Sequence, residues 1–446
     1  MTRFIDRGRR NALRLLAAAA LALVLLPSAA TAETAPLAQP ATTAQAVGGG
    51  SGPAPIVLFP AYHLTRLRVD VTNQTVAPDC PRSGSFQYFF QNPSPSGQFS
   101  LACEYRLLTL RYDPNFFRAM PERFSDQPGV TVTIPDYGTT ESAPFYETMY
   151  QRLEAAGYVR NLSIRVAGYD ARLTPDMDNF LERTTRLIEE TYAQNGQRPV
   201  HLVGHSNGPL YIQYLLTHTS LEWRHKYIQG FTPIAGNFPG QGSLYSLIFS
   251  GLTITDFSLP TDPTEARASA HMLLLNPSTY MSAADPRVFD HREVVLINST
   301  TNRQYTPADY PQLLADARLD FVRPIADYYI GFVKFTEPAH FPYVDVYAEK
   351  GSGIPTQIGA ILPNFTVGQV VSDAQVLLAQ GDINQEDITN TAVLVWQAMP
   401  CYHFSLTNNP GVNHFQLPSN PGVLNRLVDD AARAPSACFP WRWQPA

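Results

Sequence analysis

Pro199-Val200-His201-Leu202-Val203-Gly204-His205-Ser206-Asn207-Gly208 is the stretch on which the reading of this 446-residue chain turns. An apolar run, with Leu202 and Val203 as the end of a buried strand, leads into Gly204-x-Ser206-x-Gly208. Leu210, Tyr211, Tyr214 and Leu215 then recur at helical spacing. Strand, tight turn and helix with a serine at the apex make a nucleophile elbow. A serine on so sharp a turn sits in a strained backbone, and small residues two before and two after it let strand and helix pass closely. The context therefore marks Ser206 as a nucleophile rather than a structural turn residue.

A serine alone attacks poorly. It needs a base within hydrogen-bond reach and a carboxylate to orient that base, and in this class the chain order is Ser, then Asp or Glu, then His. His414, in Gly411-Val412-Asn413-His414-Phe415, stands in a glycine-containing loop before the helical stretch 422–432 and is the expected base. His403, in Cys401-Tyr402-His403-Phe404, alternates like a strand and reads as packed. His205 is expected to pack beside the strand, because adjacent elbow positions point differently. For the acid, Asp382 in Gln380-Gly381-Asp382 lies at a strand exit, with Asp387 as its rival; Asp170 precedes the serine and fits the order badly. The oxyanion hole needs two backbone N–H groups, one from Asn207 and one from the loop Pro60-Ala61-Tyr62-His63 after the first strand.

The remainder fits an exported α/β protein. Arg3, Arg7, Arg9, Arg10 and Arg14 precede the apolar run 15–26, and Ala30-Thr31-Ala32 has the form of a cleavage site, so 1–32 reads as a signal peptide. Its removal would take five Arg and one Asp from totals of 32 basic and 38 acidic residues, leaving 27 and 37. That acidic balance disfavours a nucleic-acid partner. Residues 33–55 read as a flexible leader, and 56–446 as one large domain. No later segment is long and apolar enough to cross a bilayer, so lipid is expected to be met peripherally, at a surface. Four cysteines in such a chain favour two disulfides over metal binding. Sequence distance favours Cys80–Cys103 and Cys401–Cys438 over pairing between the two halves. Asn73, Asn161, Asn298 and Asn364 each head a glycosylation acceptor sequence.

Strand and helix patterns alternate. Strands are expected at 55–59, 130–134, 163–166, 227–234 and 343–347. Helices are expected at 145–156 and from Thr174-Pro175-Asp176 to Asn195-Gly196. About 241–335 reads as an insertion. A nucleophile at a strand's C-terminal end is where open parallel sheets place their sites.

These motifs carry a resemblance. Ile56-Val57-Leu58-Phe59-Pro60 followed by Leu67, Pro135-Asp136-Tyr137-Gly138, Gly157-Tyr158-Val159-Arg160, Ala167-Gly168-Tyr169-Asp170-Ala171-Arg172, the serine elbow, Gly353-Ile354-Pro355-Thr356 and Gly411-Val412-Asn413-His414 follow one another in an order similar to that of the lecithin:cholesterol acyltransferase and lysosomal phospholipase A family. The resemblance covers most of 55–430. It implies an α/β-hydrolase with a lid loop bounded by Cys80 and Cys103 and an inserted cap. It also implies a Ser206–Asp382–His414 triad, oxyanion donors at Tyr62 and Asn207, phospholipid as substrate, and water, a sterol or another alcohol as acyl acceptor. No metal or organic cofactor is implied, and residence would be extracellular or lysosomal. The chain departs from the family in its acid motif, here Gln380-Gly381-Asp382-Ile383-Asn384-Gln385, at Ala61 and Ala171, and in Ala235-Gly236-Asn237-Phe238-Pro239-Gly240.

Between Cys80 and Cys103, Phe86, Tyr88, Phe89, Phe90 and Phe99 are interleaved with Gly84, Pro93, Pro95 and Gly97. Such rings either cover an acyl pocket as a mobile flap or pack on the body. The expectation is a lipid O-acyltransferase or phospholipase A; a simple secreted lipase or esterase and a non-catalytic lipid-binding protein with the same fold are the alternatives.

Overall fold

Strands Phe404–Pro410, Val346–Ser352, Ile228–Ile234, Val200–His205, Ile56–Phe59 and Ile164–Val166 lie side by side in that order, every neighbouring pair parallel. The computed structural model describes residues 52–90, 98–115, 117–289, 293–436 and 438. The signal peptide expected at 1–32 and most of the leader lie outside the described residues. The leader's last residues are already ordered, Ala54 donating its N–H to the Ala431 carbonyl at 2.8 Å.

The central strands are buried at every position, as in a parallel sheet covered on both faces. Val200–His205 runs between Ile56–Phe59 and Ile228–Ile234, with Gly204 beside Phe59 on one side and Pro233 on the other. The strand's C-terminal end thus opens at the middle of the sheet edge. Helices Glu147–Ala155, Gly208–Thr217 and Pro421–Ala431 have the expected positions within a residue or two.

Two expectations need correcting. The helix expected from Thr174 begins at Phe180, because Asp178 and Asn179 take left-handed backbone, with φ of 52° and 48°, and break any earlier turn. The strand expected at 343–347 begins at Val346, after Tyr343 at φ 49°. Val130–Thr133 is a strand, as expected; it pairs antiparallel with Leu67–Val71, which pairs on its other side with Gly84–Tyr88, in a small separate sheet.

Residues 241–335 add helices Leu244–Ser250, Pro263–Leu275, Pro277–Met281, Tyr310–Asp316 and Arg323–Tyr329. The strands Leu296–Asn298 and Arg303–Tyr305 join Ile354–Leu362 and Val376–Gly381 in a second, four-stranded sheet. Cys80 and Cys103 are linked by a disulfide. The segment they bound begins with an edge strand and ends in helix Leu101–Leu108, and Phe86, Tyr88, Phe90 and Phe99 are buried. The rings pack on the body; residues 91–97 lie outside the described ones. The second expected link is absent. Cys401 and Cys438 are free thiols within hydrogen-bond reach of each other, Cys401 being held exposed in a left-handed turn at φ 76°.

Candidate active site

Ser206 sits at φ 59°, the left-handed region that a non-glycine residue occupies only under constraint. Its N–H is held by the Ile234 carbonyl and its C=O by the Asn237 N–H, both at 2.9 Å. A Cβ on Gly208 would lie 2.2 Å from the Phe59 carbonyl oxygen, and one on Gly204 only 2.8 Å from Pro209 and Ile212. The two glycines are there because strand, turn and helix have no room for a side chain.

His414 and Asp382 meet through side chain and backbone. The His414 Nδ1–H donates to Asp382 Oδ2 at 3.1 Å and the His414 N–H to the Asp382 carbonyl at 2.8 Å, with both residues buried. His414 Nε2 is then a lone-pair nitrogen, buried and with no partner among the described residues. The other carboxylate oxygen, Oδ1, accepts the N–H groups of Asn384 and Gln385 at 3.1 and 2.8 Å, while Asn390 Nδ2 lies 3.3 Å from Oδ2. Ile383, at φ 87°, forces the turn that aims these amides inward. Beside them, burial raises the Glu386 carboxyl pKa to about 8, and its Oε1 accepts the Gly242 N–H. Kept neutral, Glu386 adds no second charge next to Asp382. The rival acid Asp387 points elsewhere, to Lys350 Nζ at 3.2 Å. His403 is also elsewhere, its ring on Tyr347.

The loop carrying Tyr62 is fixed at two atoms. Tyr169 Oη donates to the Pro60 carbonyl, and the Ala61 N–H donates to Tyr146 Oη at 2.9 Å. The Tyr62 phenol is buried near Asn276, Ser278 and Thr279, and burial raises its pKa. Asn207 Oδ1 accepts from Asn237 Nδ2 at 3.0 Å and from Ser282 Oγ at 2.9 Å, so the residue after Ser206 is gripped from two directions. Asp170 has no part in this: with Arg172 it forms a buried ion pair at 2.6 Å.

Three connections escaped the sequence reading. His205 Nδ1 lies 3.0 Å from Tyr146 Oη, and its Nε2 lies 3.0 Å from the His414 carbonyl. Asn390 and Ser282 are the others. His205 stands in the elbow motif, but its partners lie 59 and 209 positions away; Ser282 lies 75 from Asn207, and Asn390, eight residues after Asp382, belongs to no motif, so spacing carried no signal for these contacts. Among the acceptor asparagines, Asn73, Asn161 and Asn364 are exposed and Asn298 is half-buried. The Asn161 carboxamide is already engaged with Thr140 and Glu141.

The family described as Lecithin:cholesterol acyltransferase matches residues 125–316, a stretch that contains the elbow. Over this stretch the chain is similar to that family. It is 29% identical to mouse phosphatidylcholine-sterol acyltransferase over 52% of this chain and 53% of that protein. It is 27% identical to rat lysosomal phospholipase A and acyltransferase over 64% and 68%. The chain thus spans about half the length of the mouse relative that it matches. A chain of the Tle4-Tli4 complex crystal structure shares the fold, with a TM-score of 0.52 at 12% identity over 86% of this chain and 100% of that one. At the departure from the family's acid motif, backbone amides of residues 384 and 385 and the Asn390 side chain, not the side chains at 384 and 385, hold the Asp382 carboxylate. At the other departure, Asn237 supplies the donor to Asn207.

Proposed function

We propose that this chain is an α/β-hydrolase that transfers an acyl group from a glycerophospholipid to water or to an alcohol, including a sterol, by way of an acyl-enzyme on Ser206. The observation that carries the reading is the buried His414–Asp382 pair with an unpartnered Nε2, in a chain whose elbow holds a strained serine. The names of the mouse and rat relatives, a phosphatidylcholine-sterol acyltransferase and a phospholipase A and acyltransferase, support the substrate class.

In this mechanism His414 Nε2 takes the Ser206 proton as Oγ attacks the ester carbonyl. Asp382 holds Nδ1–H and stabilises the imidazolium. The N–H groups of Tyr62 and Asn207 stabilise the oxyanion. Collapse breaks the bond to the glycerol oxygen, which leaves with the proton from His414, and water or an alcohol then repeats the sequence in reverse. The acceptor alcohol competes with water only where an apolar wall concentrates and orients it. Residues 80–103, as a lid, and about 241–335, as a cap, are the segments proposed to build that wall at a lipid surface. Export, with glycosylation at the exposed acceptor asparagines, completes the proposal. Among the described residues no helix is long and apolar enough to cross a membrane.

The test is product analysis. Phospholipid vesicles labelled in the acyl chain, incubated with the protein, release labelled fatty acid, and adding a long-chain alcohol or sterol diverts part of the label into a new ester. Ser206→Ala lowers both fluxes by at least about 10³-fold. Release of fatty acid with no ester over a range of alcohols leaves a phospholipase alone. Turnover of short soluble esters with none of phospholipid leaves a simple esterase. Neither product, with no labelling by a serine-reactive fluorophosphonate, overturns the enzymatic reading.

A further inference from the structure

Four groups from four parts of the chain form one buried line. The His414 carbonyl can only accept, so His205 Nε2, 3.0 Å away, carries the proton. His205 Nδ1 is then an acceptor and takes the Tyr146 hydroxyl proton at 3.0 Å. The Tyr146 oxygen in turn accepts the Ala61 N–H at 2.9 Å. Every donor has one acceptor and every direction agrees. Burial holds the His205 imidazole neutral, its pKa well below the ordinary value, so the tautomer persists across the working pH range. The ends of the line are not arbitrary. Ala61 precedes Tyr62, His205 precedes Ser206, and the carbonyl belongs to His414 itself.

We infer that His205 and Tyr146 are positioning residues, which fix the spacing between the oxyanion loop, the nucleophile and the base by this single hydrogen-bonded chain. The inference rests on the reading of Ser206 and His414 given above and deepens it. Neither residue touches substrate. Hydrogen bonds in series polarise one another in a dry interior, and a break at one link releases the groups at both ends. Ring contacts support the line. His205 lies with its centroid 4.9 Å from that of His414 and stacks within 7° of Phe145, while Tyr146 meets it edge-on.

Tyr146→Phe tests this, because it removes one oxygen and leaves the ring. The control is Tyr150→Phe, four residues along the same segment, which removes a buried hydroxyl bonded at 2.9 Å to the Ala143 carbonyl; that carbonyl also accepts the Tyr146 N–H at 3.3 Å, but the hydroxyl itself makes no bond in the line. With a short soluble ester, Tyr146→Phe lowers kcat about tenfold, leaves KM within about twofold and slows fluorophosphonate labelling by the same factor as kcat, whereas Tyr150→Phe changes kcat less than about twofold. In a His205→Gln background Tyr146→Phe adds little, since the line is already cut. His205→Gln read alone by the same criteria decides the case if Tyr146→Phe does not fold. Unchanged kcat in Tyr146→Phe, an equal loss in Tyr150→Phe, or additive losses in the double variant overturn the inference. If Ser206→Ala remains active, the underlying reading has failed; if Ser206→Ala is dead and Tyr146→Phe is normal, only the positioning role has.

Discussion

At the scale of the residue, Asn207 shows how much of a site lies outside its motif. The elbow requires only a backbone N–H there, yet the side chain is held by Asn237, from the loop after Ile228–Ile234, and by Ser282, from the insertion. If that grip aims the N–H, Ser282→Ala lowers kcat several-fold without raising KM, and Ser282→Thr restores it. In an Asn207→Ala background Ser282→Ala has no further effect; an unchanged loss in that background shows that Ser282 acts elsewhere. The sequence pointed to residues that chemistry restricts to one type: the serine between glycines, the histidine in a late loop and the aspartate at a strand exit, the last two of which lie in hydrogen-bond contact. His205 was legible as a residue but not as a connection. Its partners lie 59 and 209 positions away, and nothing in local periodicity encodes such a distance.

At the scale of the element, helix Leu101–Leu108 carries a conflict. It starts well, with Ser100 Oγ accepting the Cys103 N–H, but it buries Glu104, whose Oε1 has no hydrogen-bond partner among the described residues and whose pKa burial raises to about 8 from 4.5. Between those values the folded chain keeps a proton that the unfolded chain has released. The stability from this group is therefore full below about pH 4.5 and is lost as pH rises through 8. Glu104→Gln is neutral at every pH. Its melting temperature, measured by circular dichroism from pH 6 to 9, gains about 2–4 °C on the parent over that range. Parallel curves instead place the proton elsewhere. Periodicity located this chain's elements well where one face was buried, and failed where single residues override it. Thr174-Pro175-Asp176 has the composition of a helix start, but Asp178 and Asn179 adopt left-handed backbone and the helix waits until Phe180. The aromatics before Phe99 lack helical spacing because Phe86 and Tyr88 alternate on a strand, and their burial follows from that pairing.

At the scale of the whole molecule, the proposed acid and the proposed nucleophile stand on different sheets. Ser206 leaves a central parallel strand, whereas Asp382 leaves Val376–Gly381 in the four-stranded sheet that the sequence reading did not separate from the core. The turn carrying Asp382 and the loop carrying His414 meet over Gly351. A Cβ there would lie 2.9 Å from that of Asp382 and 2.3 Å from the Val412 carbonyl oxygen, so the acid turn and the base loop press onto the strand where it has no side chain. Gly351→Ala forces them outward, and its kcat falls by about 10²-fold while its melting temperature drops only a few degrees; a variant that melts normally and turns over normally shows that the contact has slack. The proposed catalysis would therefore work as an interlock. On the proposed mechanism, a copy whose second sheet has not yet docked, whether newly made or partly denatured, displays a serine with no oriented base and turns over no ester, so heating is expected to extinguish turnover before the central sheet melts.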